Sequence, residues 1–387
     1  MTDPLYATQL VIRPGIIELS WGQPDAKLLP AAKLSRAAEV ALAEAGADAL
    51  AYGANSGPGT LLAWLRARIE RTEGRVVAAD EIVITAGNSE ALDQICTLGT
   101  RPGDAVLVES PTYHLAARIL RDHPLELIPA PVDGEGLNVE GVAAALAALR
   151  RAGRQARLLY TIPTFHNPTG VTLSAERRQA LVGLAAAEGV LIVEDDVYRE
   201  LAYDAPAAPS LWSLAPPGTV ARLGSFAKSL APGVRLGWIT GPASLVQRIV
   251  NSGLRDSGGG ANHFAAMVVA AFCGLGLYDD HVAELRAAYR ARRDALLGAL
   301  AAHLPPGVNF TRPGGGFFVW VTLPPGLEAG PLLAVAEAAG LSYIPGSNFH
   351  LDGQGRNTLR LAFSLFPPDD LAEGGRRLGQ VLSRALS

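Results

Sequence analysis

Apolar runs rich in β-branched residues alternate with amphipathic stretches between residues 81 and 241. Each apolar run has the length of a buried strand, and each amphipathic stretch has the spacing of a helix with one apolar face. This alternation predicts a mainly parallel sheet covered by helices on both faces. The predicted strands span residues 82–85, 105–109, 158–162, 190–194, 220–226 and 236–240, and two of the predicted helices span 88–98 and 174–188.

The pattern changes beyond residue 278. An arginine-rich amphipathic stretch over about 280–303 predicts one long connecting helix, and further strands and helices follow it in an α+β arrangement. The N-terminal segment does not fit the repeat, so we expect it to join this second unit. The predicted division is an N-terminal segment (1–40) that belongs to a small domain, a large domain (41–280) and the C-terminal small domain (281–387).

Composition narrows the class of protein. The 387 residues suit two or three domains of about 150 residues. A formal net charge of −4, without long runs of one sign, disfavours nucleic acid as a partner. Two cysteines in apolar surroundings indicate a reducing compartment. We expect a cytoplasmic protein without a membrane partner, because the start lacks a signal-peptide pattern and the longest apolar run, 264–278, is shorter than the roughly 20 residues of a membrane helix.

Polar side chains follow the carboxyl ends of the predicted strands. Ligands of open α/β sheets bind beyond these strand ends, so we expect a site there. The chain has only three lysines, and one of them, Lys228, lies in a small-residue turn directly after a strand. The alternative is a solvated loop lysine. Lysine, unlike arginine, can lose its proton and form an imine, which favours a chemical role for Lys228.

The neighbours of Lys228 suggest which cofactor this site takes. Ser225 and Arg235 flank the lysine, and Asn88 and Ser89 open a helix whose free N–H groups suit an anion. An imine-forming lysine beside such a phosphate cradle implies pyridoxal 5′-phosphate.

That cofactor makes further demands. Asp195, at the end of a strand, can hold the protonated pyridine nitrogen. Tyr198 and Asn167 can bind the ring oxygen, and Tyr113 can stack on the ring. Arg360, on the strand TLRLAFS, can bind a substrate carboxylate, although an exposed strand residue is the alternative for it.

Nine motifs carry a family resemblance over nearly the whole chain: RPGIIELSWGQP, LAYGANSGPGTLLAWL, ITAGNSEALD, ESPTYH, IPTFHNPTG, VEDDVYREL, SFAKSLAPGVRLG, TRPGGGFFVWVTLP and NTLRLAFS. In their order and spacing, the chain resembles fold-type I pyridoxal-phosphate aminotransferases of class I/II. The branch is the one that holds aromatic and 2-aminoadipate aminotransferases and the enzyme-like domain of MocR regulators. The resemblance implies a large domain with a mainly parallel seven-stranded sheet between helices, and a smaller α+β domain.

The resemblance also implies a role for each site residue. Lys228 would be the Schiff-base lysine and proton carrier, with Asp195 and Tyr198 as the other catalytic residues. The remaining cofactor contacts would be Asn88, Ser89, Tyr113, Asn167, Ser225, Arg235 and Tyr52, the last from the other subunit of a homodimer. The substrate would lie against Gly22, Asn167, Arg360 and Trp21, and no metal is expected.

The implied reaction is ping-pong transfer of an amino group from an L-amino acid to a 2-oxo acid, expected to be 2-oxoglutarate. Departures from the family are the loop Gly87–Glu90, where relatives often have Gly-Ser-Gln-Gln, and Trp21, where relatives often have a small residue. Arg13 is a candidate for binding a distal substrate carboxylate.

Some features of the sequence also suggest other functions. The Ser-x-x-Lys motif at 225–228 lacks the Lys-Thr-Gly strand of the penicillin-binding proteins, and the adjacent carboxylates at 194–196 point to opposite faces of a strand, unlike a metal cluster. β-Elimination and decarboxylation stay open, because the same cofactor contacts serve them. A non-catalytic sensor of MocR type is the other alternative, although we expect no room for its DNA-binding domain before Arg13.

Overall fold

A computed structural model describes residues 9–386 of the chain. The strands are β1 (Ile17–Glu18), β2 (Ile82–Thr85), β3 (Ala105–Ser110), β4 (Glu126–Asp133), β5 (Gly136–Leu137), β6 (Ala156–Thr161), β7 (Leu191–Asp195), β8 (Val220–Ser225), β9 (Gly237–Thr240), β10 (Asn309–Phe310), β11 (Phe318–Thr322), β12 (Leu341–Ser342), β13 (Ile344–Pro345) and β14 (Thr358–Ala362). The helices are α1 (Ala31–Ala45), α2 (Gly59–Glu73), α3 (Asn88–Gly99), α4 (His114–Asp122), α5 (Val139–Arg151), α6 (Ala175–Glu188), α7 (Leu211–Leu214), α8 (Ala243–Val250), α9 (Gly253–Asp256), α10 (His263–Gly274), α11 (Leu277–His303), α12 (Ala329–Ala338) and α13 (Pro368–Leu386).

The large sheet has the strand order β2-β9-β8-β7-β6-β3-β4-β5. The pairs from β8 through β7, β6 and β3 to β4 are parallel, whereas β9 is antiparallel to both of its neighbours. The sheet has eight strands rather than the seven that the resemblance implied, because the two-residue strand β5 pairs antiparallel with β4 at one edge. The prediction of a mainly parallel sheet between helices is therefore confirmed.

Helices cover both faces of this sheet, which explains why its central strands are mostly apolar on both sides. Ile82 and Ile84 lie in the core on one face of β2, and Val83 lies in the core on the other. In the same way, Leu107 of β3 lies in the core on the first face and Val106 in the core on the second. Because successive strand residues point to opposite faces, a strand covered on both sides needs a continuous apolar run.

A second hydrophobic core forms around a four-stranded antiparallel sheet with the order β10-β11-β14-β13. The long helix α11 packs along α13 beside this sheet. The N-terminal segment joins the same core, because β1 pairs with β12 and Ile17 and Leu19 are buried there. Helix α1, by contrast, packs against α10 in the core of the large sheet. The division at residues 40 and 280 stays a prediction.

No single helix within residues 9–386 is long and apolar enough to cross a membrane. Helices α10 and α11 satisfy length and composition only as a pair, and a bend of 86° separates them. The prediction that a signal peptide is absent falls partly on residues 1–8, which lie outside the described part.

Candidate active site

Lys228 lies in a turn that follows β8, and its amine points to the N-terminal segment. Nζ donates a hydrogen bond to the carbonyl oxygen of Gly22 at 3.1 Å. Burial, reinforced by the positive charges of Arg360 and Arg235, lowers the pKa of the amine to about 8. A lysine with such a pKa is partly neutral near physiological pH, as a nucleophilic or proton-carrying amine has to be.

Asp195 ends β7 and has both carboxylate oxygens hydrogen-bonded. Oδ1 accepts from Asn88 Nδ2 and Oδ2 accepts from the Tyr160 hydroxyl, each at 2.7 Å. Burial raises the pKa of the Asp195 carboxyl to about 6, whereas these two hydrogen bonds lower it. The site thus holds a buried carboxylate that is mostly ionised at neutral pH.

Arg360 projects from β14 and is buried, with 3% of the residue exposed. Nη1 donates to Asn167 Oδ1 at 3.0 Å, and Nη2 donates to the carbonyl oxygen of Ser20 at 2.6 Å. The guanidinium lies over the rings of Phe318 and Phe349, at 4.3 and 4.8 Å from their centroids. Burial lowers its pKa to about 10, which leaves it charged at neutral pH. The site therefore has a planar cation suited to a carboxylate.

A second positive group lies at the start of α3. Arg235 has a left-handed backbone (φ 49°), and its Nη2 donates to the carbonyl oxygen of Ala86 at 3.3 Å. A Cβ at Gly87 would lie 2.8 Å from this Nη2, so glycine lets the guanidinium approach the helix terminus. Ser225 ends β8 nearby in sequence, and its hydroxyl accepts from the N–H of Ala227 at 3.0 Å. Cation, hydroxyl and free helix N–H groups are the donors that bind phosphate.

Two tyrosines complete the interior of the site. Tyr198 is buried against the rings of Phe317 and Phe318. Burial raises the pKa of both the Tyr113 and Tyr198 phenols, and Asp195 raises them further while Arg360 opposes the change. Both hydroxyls are therefore protonated at neutral pH and available as donors.

Several predicted residues do not converge with this group in one chain. Tyr52 is 89% exposed and packs beside Gly258, and Ser89 is exposed at the start of α3. The Trp21 indole donates to the carbonyl oxygen of Val11, whereas the carbonyl of the next residue, Gly22, accepts from Lys228.

The candidate role of Arg13 does not fit its contacts. Its Nε lies 2.6 Å from Glu18 Oε1 and its Nη2 lies 2.9 Å from Glu337 Oε1. Two carboxylates of the protein thus already neutralise this arginine, which leaves no free cation for a distal substrate carboxylate.

Comparisons with known proteins agree with this geometry. The family model for aminotransferase class I and II matches residues 14–378. The chain belongs to this family. Aromatic-amino-acid aminotransferase 1 of Thermococcus litoralis is 34% identical over 382 residues, which cover 98% of this chain and 90% of that protein.

Solved structures of aminotransferases share the fold. The multiple substrate aminotransferase of Thermococcus profundus superimposes with a TM-score of 0.92 at 34% identity, covering 97% of this chain and 93% of that one. The α-aminoadipate aminotransferase of Thermus thermophilus, solved with N-(5′-phosphopyridoxyl)-L-leucine, gives a TM-score of 0.87 at 32% identity and covers 96% and 93%. The protein is a pyridoxal-phosphate-dependent aminotransferase.

The residues present fit the cofactor of this aminotransferase family. An amine, a buried carboxylate, a cation at a helix start and a hydroxyl provide the donor set that a phosphorylated pyridine aldehyde requires. Two buried polar atoms at the site, Asn88 Oδ1 and Arg360 Nε, have no hydrogen-bond partner among residues 9–386. Unpartnered buried polar atoms are uncommon in folded proteins and indicate a place for a ligand.

Sequence reasoning missed three residues of this aminotransferase site. Tyr160 bonds Asp195 from within β6, and Glu109 on β3 faces His166, whose Nε2 lies 3.1 Å from Glu109 Oε2. His166 directly precedes Asn167, so the buried pair supports the loop that presents Asn167. The signal for His166 and Glu109 was a polar residue at a strand end, whereas a tyrosine inside an apolar strand gives no such signal.

Proposed function

We propose that this aminotransferase moves the amino group of an L-amino acid to a 2-oxo acid, with 2-oxoglutarate as the acceptor. One observation carries the proposal: a single short segment accepts hydrogen bonds from two basic side chains of the site, Arg360 at the carbonyl of Ser20 and Lys228 at the carbonyl of Gly22. Two residues of chain span at most about 7 Å. A carboxylate-binding group and a reactive amine therefore converge on one short segment, which supports binding of a single amino acid between them.

Some residues of the site bind the substrate, and others bind the cofactor. In this proposal Arg360 and Asn167 bind the substrate carboxylate and Arg235, Ser225 and the start of α3 hold the phosphate. When bound, pyridoxal phosphate supplies an electron-withdrawing ring that stabilises negative charge at the substrate Cα.

The reactive steps fall to residues around that ring. Lys228 would hold the cofactor through its amine. Once the substrate amine has displaced it, the freed Nζ would take the proton from the substrate Cα. Asp195 would keep the pyridine nitrogen protonated. Tyr198 and Asn167 would donate to the ring oxygen, and Tyr113 would stack on the ring.

We also propose that the active unit is a homodimer in which Tyr52 reaches the partner's site. Tyr52 and Leu50 are 89% and 69% exposed, and Leu254 and Phe264 also present apolar surface on the adjoining segment. The hydrogen bond between His263 Nε2 and the carbonyl of Asp48 ties the two segments together. A contiguous exposed apolar surface of this kind suits a second copy of the chain.

The cytoplasm is the proposed compartment. Cys96 and Cys273 are buried and unpaired, and burial raises the pKa of the Cys96 thiol to about 12. Two inert thiols without a disulfide suit a reducing environment.

The test is a panel of L-amino acids mixed with purified holoenzyme, followed by the absorbance of the bound cofactor and by the appearance of 2-oxo acid. We expect aromatic, aliphatic or acidic donors to yield 2-oxo acid, and turnover to require an added acceptor, with 2-oxoglutarate faster than pyruvate. Ammonia release without an acceptor would instead favour the lyase. Cofactor binding without turnover of any donor would favour the sensor.

Replacing Lys228 tests the chemistry directly. We expect Lys228→Ala, and equally Lys228→Arg, to abolish turnover, because neither side chain can attach the cofactor or carry the proton. Lys33→Ala is the matched control, since Lys33 pairs with Glu284 at 2.8 Å on the surface. Full activity of Lys228→Ala would contradict the assignment.

A further inference from the structure

Two neutral donors from different elements hold Asp195. Asn88 is the first residue of α3 and Tyr160 lies on β6, opposite Val193 of the neighbouring strand β7. Their hydrogen bonds to the two carboxylate oxygens are both 2.7 Å long. One bond to each oxygen fixes the rotation of the carboxylate and leaves a lone pair on each oxygen for a further donor.

The side chain of Asn88 has no donor left for a phosphate. A carboxamide has two N–H donors, and Nδ2 spends them on Asp195 Oδ1 and on the carbonyl oxygen of Leu223 at 3.3 Å. The remaining atom, Oδ1, is buried and is an acceptor, as phosphate oxygens are. Asn88 can therefore offer a phosphate only its backbone N–H.

The surrounding backbone is shaped around this carboxamide. A Cβ on Gly237 of β9 would lie 2.9 Å from Asn88 Oδ1 and 2.7 Å from the carbonyl oxygen of Gly224. Glycine at this position leaves the space that the amide occupies. The orientation of the Asn88 side chain is thus built into the sheet rather than chosen freely at the surface.

Tyr160 is suited to be a donor and nothing else. It is buried, with 1% of the residue exposed, and burial together with Asp195 raises the pKa of its phenol well above the ordinary value. The hydroxyl therefore keeps its proton and directs it at the carboxylate.

We propose that Asn88 and Tyr160 are positioning residues that act on the cofactor through Asp195, fixing the carboxylate and keeping it ionised to receive the pyridine N–H. The inference rests on the role proposed for Asp195 above. It moves the Asn88 side chain from the phosphate to the carboxylate that faces the pyridine nitrogen, and it adds Tyr160 to the site.

Two probes separate these roles in the cofactor-free full-length chain. Pyridoxamine 5′-phosphate carries the ring and the phosphate but forms no bond with Lys228, and inorganic phosphate tests the phosphate end alone. Calorimetry would compare wild type with Asn88→Ala and Tyr160→Phe, and with Ser225→Ala as the control that removes a proposed phosphate donor.

We expect Asn88→Ala and Tyr160→Phe each to weaken pyridoxamine phosphate binding about tenfold or more, the usual value of a hydrogen bond to a charged group, and to leave the affinity for inorganic phosphate unchanged. Ser225→Ala should weaken the binding of both ligands. Retained phosphate binding also shows that the variant site is folded. If Asn88→Ala is not folded, Asn88→Ser takes its place with the same two probes.

The pH dependence gives a readout that a structural role would not move. The two hydrogen bonds lower the pKa of Asp195, so their removal raises it, and the loss of pyridoxamine phosphate affinity on acidification should begin at higher pH. The other titratable groups that interact electrostatically with Asp195 stay in place in both variants: Asp196, Glu109, Lys228, Tyr113 and Tyr198.

Two results would overturn the inference. One is an equal loss of affinity for both ligands in Asn88→Ala, which would place the side chain of Asn88 at the phosphate. The other is a Tyr160→Phe protein with unchanged pyridoxamine phosphate affinity and pH dependence. Asp195→Ala distinguishes failure of the underlying function, because full pyridoxamine phosphate affinity in that variant would refute the role of Asp195 itself.

Discussion

At the scale of single residues, the environment of Lys228 decides when its amine is reactive. Burial and the charges of Arg360 and Arg235 all act in one direction, and only Asp195 opposes them. The lowered pKa, about 8, means that the neutral amine becomes the main form as the pH rises through about 8 rather than near the ordinary lysine value.

This shift predicts the pH profile of amine labelling in the cofactor-free protein. The rate at which acetic anhydride modifies Lys228, measured by mass spectrometry, should rise with pH and level off above about 8. In Arg360→Gln the midpoint should move to higher pH, because a charge that lowers the pKa has been removed. A midpoint near 10.5 in wild type would show that the amine is not shifted.

At the scale of elements, a buried pair joins β3 to the loop that follows β6. Glu109 accepts from the Thr161 hydroxyl at 2.5 Å and from the N–H of Ile162 at 2.7 Å, and it faces His166. His166 in turn lies 2.8 Å from the hydroxyl of Thr169, across the turn that contains Asn167. The loop is therefore held by side chains on both sides of Asn167.

Removing this support should destabilise the fold. We expect Glu109→Ala to lower the free energy of unfolding by about 3–5 kcal/mol, because it leaves buried donors without an acceptor. Glu135→Ala, at an exposed glutamate, should change it by less than about 0.5 kcal/mol. Urea denaturation measures both, and equal effects of the two substitutions would contradict the argument.

The elements also show what the sequence could and could not predict. The six predicted strands match β2, β3 and β6–β9 to within two residues, because strands covered on both faces are mostly continuous apolar runs. Strand β4 was missed, since Pro129 and Pro131 lie within it. Both are tolerated because β5 pairs only with Val132 and Asp133, so most of β4 forms the sheet edge.

The site was predictable where chemistry falls at a strand end, as for Asp195 and Asn167. The contact between Asn88 and Asp195 was not predictable, because these residues are 107 positions apart and meet only through the packing of two separate elements. Tyr160 was hidden in the same way, since an aromatic residue within an apolar strand is indistinguishable from core.

At the scale of the whole molecule, the exposed face around Tyr52 leads to a test of the proposed dimer. If Tyr52 serves the partner's site, a hybrid of Tyr52→Ala and Lys228→Ala subunits contains one intact site, with Lys228 from one chain and Tyr52 from the other. We expect mixed subunits to be more active than either variant alone, by activity assay after co-refolding or co-expression.

The control is a mixture of Lys228→Ala with Lys33→Ala, which contains intact Tyr52 in every chain. Activity of the Tyr52→Ala and Lys228→Ala mixture that never exceeds the mean of the two separate variants would refute a site shared between subunits. Such sharing was not predictable from composition or spacing, which carry no information on a second copy.

The placement of the three lysines has a practical consequence. All of them lie in the described residues: Lys228 is inside the site, Lys33 is held by Glu284, and Lys27 is exposed in the turn before α1. Among the lysines, Lys27 therefore offers the most accessible ammonium group to an amine-reactive support. Molecules that couple through Lys27 would share one orientation, and the arginines that supply nearly all other positive charge would take no part in the coupling.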